Sequence, residues 1–195
     1  MYYLKKIFFS FFIFSFLAVL TGFAVELDTQ YLENGNKFYQ EYLTTRDVAL
    51  LDEAYLNYYK ASEIRPTASA FLGMGIIFIE KGKMNQAKHY LYKAYSADES
   101  DAITNYYLAK FYFYEGNYLR ALSFYKQSYE NGLAENYDVN LKLGIIYEKV
   151  GDIGLAKQHY KIAYILNPQD KYAHTRLSCL ETSNVQETTL YTKPD

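Results

Sequence analysis

Two stretches of the chain carry the residue types that chemistry uses. Residues 86 to 95 read QAKHYLYKAY and residues 155 to 164 read LAKQHYKIAY, each placing a histidine beside lysine and tyrosine. A histidine so placed could act as a general base or ligate a metal. His89 lies two residues after Ala87, whereas His159 lies three after Ala156. On a helix that difference turns the side chain by about 100°, so the two rings hold inequivalent positions. His174 stands by itself further on. No H-E-x-x-H, G-x-S-x-G, Cys/His ligand spacing or phosphate-cradling glycine loop occurs. The expectation is a non-enzyme with no catalytic residue, no metal and no cofactor, its histidines solvated or half-packed. The duplicated stretch is then a building block.

The elements that carry it repeat. Ala54, Ala87, Ala121 and Ala156 are separated by 33, 34 and 35 residues. Four residues after each come Tyr58, Leu91, Tyr125 and Tyr160, and seven after come Ala61, Ala94, Ser128 and Ala163. Positions 0, 4 and 7 share one face of an α-helix. A second pattern precedes it: Met74-Gly75-x-x-Phe78, Leu108-Ala109-x-x-Tyr112 and Leu143-Gly144-x-x-Tyr147. Gly82, Gly116 and Gly151 follow, residues that tolerate the left-handed backbone ending one helix, and Asn117 and Asp152 stand where they can cap the next. Each unit reads as helix, tight turn, helix.

This pattern resembles the tetratricopeptide repeat, with Arg65-Pro66 and Asn167-Pro168 closing the first and last units. The resemblance implies an all-α superhelix, a solenoid of about four helical hairpins at 35–68, 69–101, 102–135 and 137–170. A capping helix at 170–181 completes a domain of residues 25–181, and the polar tail 182–195 is expected to be disordered. The first unit departs from the pattern, since Glu41-Tyr42 replaces the apolar-small pair and TTRDVAL replaces the glycine turn. In such folds ligands lie along the first helix of each repeat. Carried over residue by residue, the partner-binding groove comprises Tyr39, Leu43, Leu72, Ile76, Ile79, Tyr106, Lys110, Phe113, Leu141 and Ile145, with Glu148 beside them. The positions matching the family's carboxylate clamp hold Tyr39, Leu43, Gly73, Ile103 and Tyr107 rather than lysine and asparagine, which disfavours that role.

Residues 1–24 read as a secretory signal peptide: Lys5 and Lys6, an apolar run, then Gly22-x-Ala24, with cleavage expected after Ala24. The alternative is an uncleaved anchor, because residues 7–25 form an uncharged run close to the roughly 20 residues that span a bilayer. Either way the chain is expected to be exported, periplasmic or extracellular, or else anchored to the inner or plasma membrane and facing outward. With one cysteine, Cys179, no intramolecular disulfide can form, and its helical context suggests a small buried hydrophobe. Twenty basic against 22 acidic residues provide no field for nucleic acid. The expected partner is another protein or peptide, with membrane contact only through residues 7–25. The expected function is an exported scaffold in envelope assembly, secretion or surface-structure biogenesis; the alternatives are a self-associating structural protein or a membrane-anchored adaptor.

Overall fold

Pro66 and Pro168 are the prolines in the body of the chain, and each sits just after a helix. The residue before a proline is forced towards extended backbone, and Arg65 adopts it (φ −144°, ψ 113°), ending the second helix. Between these stops the chain is free to coil, and it does. The computed structural model describes the backbone of residues 2–191 and the side chains of 21, 22 and 25–182. Among the described residues it is helical with no strand, as the repeat pattern predicts. The apolar run before residue 21, Ala24 and residues 192–195 lie outside these side chains. No helix of the described residues is long and apolar enough to cross a membrane.

The chain forms two compact units, residues 1–98 and 99–195. The first holds two hairpins, α1 (Tyr2–Thr45) with α2 (Ala49–Ile64), and α3 (Ala68–Glu80) with α4 (Met84–Ala97). The second holds α5 (Ala102–Tyr114) with α6 (Tyr118–Ser128), α7 (Tyr137–Val150) with α8 (Ile153–Leu166), and a last helix α9 (Lys171–Tyr191). A π-helical turn, Tyr129–Leu133, continues α6 and carries Gly132 at φ 130°. It lies within the longest interval between anchoring alanines, the 35 residues from Ala121 to Ala156.

Turns and caps follow local chemistry. Gly82, Gly116 and Gly151 have φ of 68°, 75° and 86°, the left-handed region expected of them. The first hairpin, without a glycine, uses Arg46 at φ 59° instead. Asn117 and Asp152 accept hydrogen bonds from the N–H groups of Arg120 (3.2 Å) and Leu155 (3.0 Å). Asp101 and Asn136 cap α5 and α7 in the same way, through Thr104 (2.8 Å) and Val139 (3.1 Å). Satisfying these otherwise orphaned donors is worth about 1 kcal/mol each.

The anchoring alanines and the residues four and seven after them are all buried. The small residues set how closely helices approach. A Cβ on Gly144 would lie 2.8 Å from the Tyr160 ring, and one on Gly75 2.9 Å from Leu91. In the first unit Tyr58 has glycines on two other helices against it: a Cβ on Gly35 of α1 or on Gly73 of α3 would fall 2.7 Å from its ring carbons. Around it pack Tyr42, Leu51, Ala54, Met74 and Ile77. The first hairpin thus replaces the missing apolar-small pair with Gly35, about two turns earlier.

One expectation fails near the C-terminus. α9 spans Lys171–Tyr191, and no glycine or proline lies within it. Cys179 is exposed rather than buried. Ala173, Arg176, Leu177 and Leu180 share the covered face of α9, and Cys179 falls about 120° away from Ala173 around the helix.

Candidate functional site

The ten expected groove residues divide five to each unit. In the first, α3 reads ASAFLGMGIIFIE, apolar almost all round. Its own core takes Met74, Ile77 and Phe78, which are buried. Leu72, Ile76 and Ile79, spaced 0, 4 and 7, form a second stripe that stays half-buried. Beside it, the hydroxyls of Tyr39 and Tyr42 donate to the two carboxylate oxygens of Glu80 (3.3 and 3.2 Å), tying α1 to the end of α3. Tyr39 stacks on Tyr42 with ring centres 6.1 Å apart, and Tyr39 and Leu43 lean on the core cluster.

In the second unit Tyr106, Lys110 and Phe113 lie along α5 at helical spacing and are half-buried. The Tyr106 hydroxyl donates to Asp138 on α7 (2.9 Å), and burial, then the Asp138 charge, pushes its pKa well above the usual phenol value. Tyr125 is buried behind it, its ring 6.3 Å from that of Tyr106. Its hydroxyl has no hydrogen-bond partner among the described residues, and burial, reinforced by Asp138, raises its pKa too. Lys110 lies over the rings of Tyr106 (5.2 Å) and Tyr107 (5.8 Å). Ile145 is half-buried, but Leu141 is only 9% exposed: it belongs to the core, not to a lining. It precedes Lys142-Leu143 on the flank of α7 that turns towards the packed side. Glu148 is also committed internally, receiving Arg176 of α9 and the Tyr160 hydroxyl (2.7 Å).

Sequence reasoning missed the residues that complete this surface. Lys142 lies 4.8 Å over the Phe113 ring and 5.9 Å over Tyr114, and Lys149 lies 4.8 Å over Tyr118. The available signal was their spacing of seven residues on α7 opposite the FYFYEGNY run.

The histidines divide. His89 is exposed, edge-on to Tyr90. His159, expected to be solvated or half-packed, is only 7% exposed. The Asn140 amide donates to the carbonyls of Ala134 (2.7 Å) and Asn136 (2.9 Å), so its oxygen faces the ring, and His159 Nδ1–H donates to it at 3.0 Å. Tyr147 stacks on the ring at 5.5 Å, and burial lowers the imidazole pKa. The group buttresses the turn before α7. Among the described residues no three His, Cys, Asp or Glu side chains are placed to hold a metal ion.

The sequence matches no family profile, and no curated protein matches it. Solved structures do match. The Pseudomonas aeruginosa pilF structure superposes with a TM-score of 0.67 at 18% identity, covering 84% of this chain and 71% of the other. MamA gives 0.63 at 21% identity over 85% and 87%. YrrB, described as a tetratricopeptide-repeat protein with an unusual peptide-binding site, gives 0.64 at 19% identity over 79% and 76%. The chain therefore has the tetratricopeptide-repeat fold, an all-α array of helical hairpins.

Proposed function

We propose that the chain is a protein-interaction scaffold that binds a segment of another protein along the first helices of its hairpins. The observation that carries this reading is the second apolar stripe of α3, Leu72, Ile76 and Ile79, left half-covered by the unit's own packing. A helix apolar on both sides has more surface to bury than one hairpin can take. Tyr106 and Phe113 present the equivalent stripe in the second unit. The peptide-binding site of the similarly folded YrrB supports a peptide or protein ligand. Binding rather than catalysis also accounts for a surface built from rings and aliphatic side chains.

The partner belongs to the cell envelope, secretion or surface-structure biogenesis: the leader with Lys5-Lys6, an apolar run and Gly22-x-Ala24 supports export. A membrane-anchored adaptor is the second reading, favoured by the unbroken helix α1 from Tyr2 to Thr45, which crosses the expected cleavage point. N-terminal sequencing of the native protein separates them, giving Val25 or Met1.

The binding reading is tested with Ile76→Ala and Tyr106→Ala in the full chain. Each is expected to weaken capture of an envelope-fraction partner by about tenfold, the scale of an interface hot spot, with the helical signal intact. Variants that unfold, or that stay folded and capture the partner at full strength, would move the binding surface elsewhere.

A further inference from the structure

The tyrosines that stand four residues after an anchoring alanine differ in what their hydroxyls meet. Tyr58 donates to Asn36 Oδ1 (2.8 Å) and Tyr160 to Glu148 (2.7 Å). Tyr125, fully buried in the third hairpin, has no hydrogen-bond partner for its hydroxyl among the described residues. Repeat register accounts for the difference. Tyr125 and Tyr160 are 35 residues apart, as are Phe113 and Glu148, so the position that supplies an acceptor in the fourth hairpin holds a phenyl ring in the third. A buried hydroxyl left in this way is unfavourable until something pairs with it.

The hydroxyl lies beside a polar pair. Tyr106 of α5 is edge-on to the Tyr125 ring, with ring centres 6.3 Å apart, and reaches across to Asp138 of α7 (2.9 Å). Burial first, then the Asp138 charge and then Tyr106 raise the Tyr125 pKa, which puts its hydroxyl in the field of both. Asp138 keeps its full charge, since its donor is an uncharged phenol. Tyr106 and Asp138 are half-buried, so they form the mouth of a notch and Tyr125 its floor. The notch offers a carboxylate acceptor and, behind it, a hydroxyl donor.

We infer that this notch, Tyr106, Tyr125 and Asp138, reads the side-chain carboxamide of an asparagine or glutamine in a bound polypeptide segment. Its role rests on the binding reading above and adds the chemical group that the surface selects. An amide N–H of the ligand takes over the Asp138 carboxylate as the Tyr106 side chain turns aside, and the amide oxygen accepts from the Tyr125 hydroxyl. One internal hydrogen bond is exchanged for two. A carboxylate in the ligand would be repelled by Asp138, and an ammonium or guanidinium would meet Lys110, 5.2 Å over the Tyr106 ring, and Lys142, one helical turn beyond Asp138. The charges therefore favour a neutral group. A serine hydroxyl can donate and accept only from one atom, whereas a carboxamide serves the two partners with an atom each. Phe113 and Ile145, half-buried on the same two first helices, are left to apolar residues flanking it.

The test is selection of the full chain against a displayed library of short random peptides. Anisotropy measurements follow on the best binder and on versions with its Asn or Gln changed to Glu, Lys, Ser or an apolar residue of similar size. Enrichment of asparagine or glutamine beside apolar residues is expected. Tyr125→Phe removes one buried atom and should weaken the carboxamide peptide about two- to tenfold, as loss of one neutral hydrogen bond requires. Its melting temperature should hold or rise slightly. The same variant should bind the apolar version as wild type does, which separates recognition of the amide from a general loosening of the face. Asp138→Asn should bind the Glu version better than wild type does. Equal binding of the carboxamide peptide by wild type and Tyr125→Phe, or enrichment of acidic, basic or serine side chains in place of the carboxamide, would overturn the notch. The binding face would still stand if Tyr106→Ala weakened those peptides. Failure to enrich any peptide would remove the binding face together with its notch.

Discussion

Replacing Gly73 with Ala puts the packing of the first unit to a quantitative test. The added Cβ would lie 2.7 Å from three carbons of the Tyr58 ring. Ordinary carbon contacts begin near 3.5 Å, so the ring must retreat by about 0.8 Å. Its room to do so is small: Gly35 of α1 lies against the ring, and the hydroxyl is tied to Asn36 Oδ1 at 2.8 Å. Overpacking of this kind costs about 1 to 3 kcal/mol. Alanine in a helix regains about 0.8 to 1 kcal/mol over glycine. The balance is a loss of about 1 kcal/mol, read as a fall of about 2 to 4 °C in the thermal midpoint followed by circular dichroism. The decisive measurement repeats the change in a Tyr58→Leu background. With the ring gone the clash goes too, and Gly73→Ala should then stabilise by up to about 1 kcal/mol. A coupling of about 1 to 3 kcal/mol between the two sites is the expected signature. An equal shift in both backgrounds, or a rise in wild type, would refute the clamped-ring account.

Tyr125→Phe should be neutral or slightly stabilising in urea titration, because the hydroxyl it removes is buried and unpartnered. A loss above about 1 kcal/mol would mean that the hydroxyl is engaged. Asn140→Ala, by contrast, strands the Ala134 carbonyl and the His159 Nδ1–H, while the Asn136 carbonyl keeps the backbone N–H of residue 140, and should cost about 2 to 3 kcal/mol. The lowered pKa of His159 fixes the sign of a pH effect: the unfolded chain takes up the proton first, near pH 6.5. Stability is therefore full above that pH and falls as pH drops towards the folded pKa. His159→Gln should flatten that slope in melts between pH 7 and 5; an unchanged slope would exclude the residue as its source. Asp28 is buried and ion-paired with Arg65, so Arg65→Ala should cost about 1 to 3 kcal/mol, discounted for the half-exposed arginine. The Cys179 thiol should react with maleimide in the native protein at close to its rate in the denatured chain.

The hairpins were legible because each rests on a periodic signal. Ala87, Ala121 and Ala156 recur at a fixed interval, and the turn glycines recur with them. The first hairpin was less so: Arg46 takes a left-handed conformation that no sequence rule assigns to arginine, and Gly35 serves a ring 23 residues away. Burial of His159 and exposure of Cys179 were misread for a related reason. Both depend on which flank of a helix a neighbour covers, and that is settled by tertiary packing rather than by composition. Of the proposed binding surface, the aromatic and aliphatic positions were assigned from repeat register. Lys142 and Lys149 were not, since their placement comes from lying over rings on another helix.

The π-helical turn at Tyr129–Leu133 has a practical corollary. Glu130, Asn131 and Gly132 are exposed, and a Cβ on Gly132 would meet no atom within 4 Å. The widened turn is therefore slack in the repeat, a place where chain length is absorbed without moving α6 or α7. An epitope or a small fluorescent reporter spliced after Asn131 should be carried as cargo while the anchoring alanines keep their partners. It offers a handle for following the protein in cells that interrupts neither α6 nor α7.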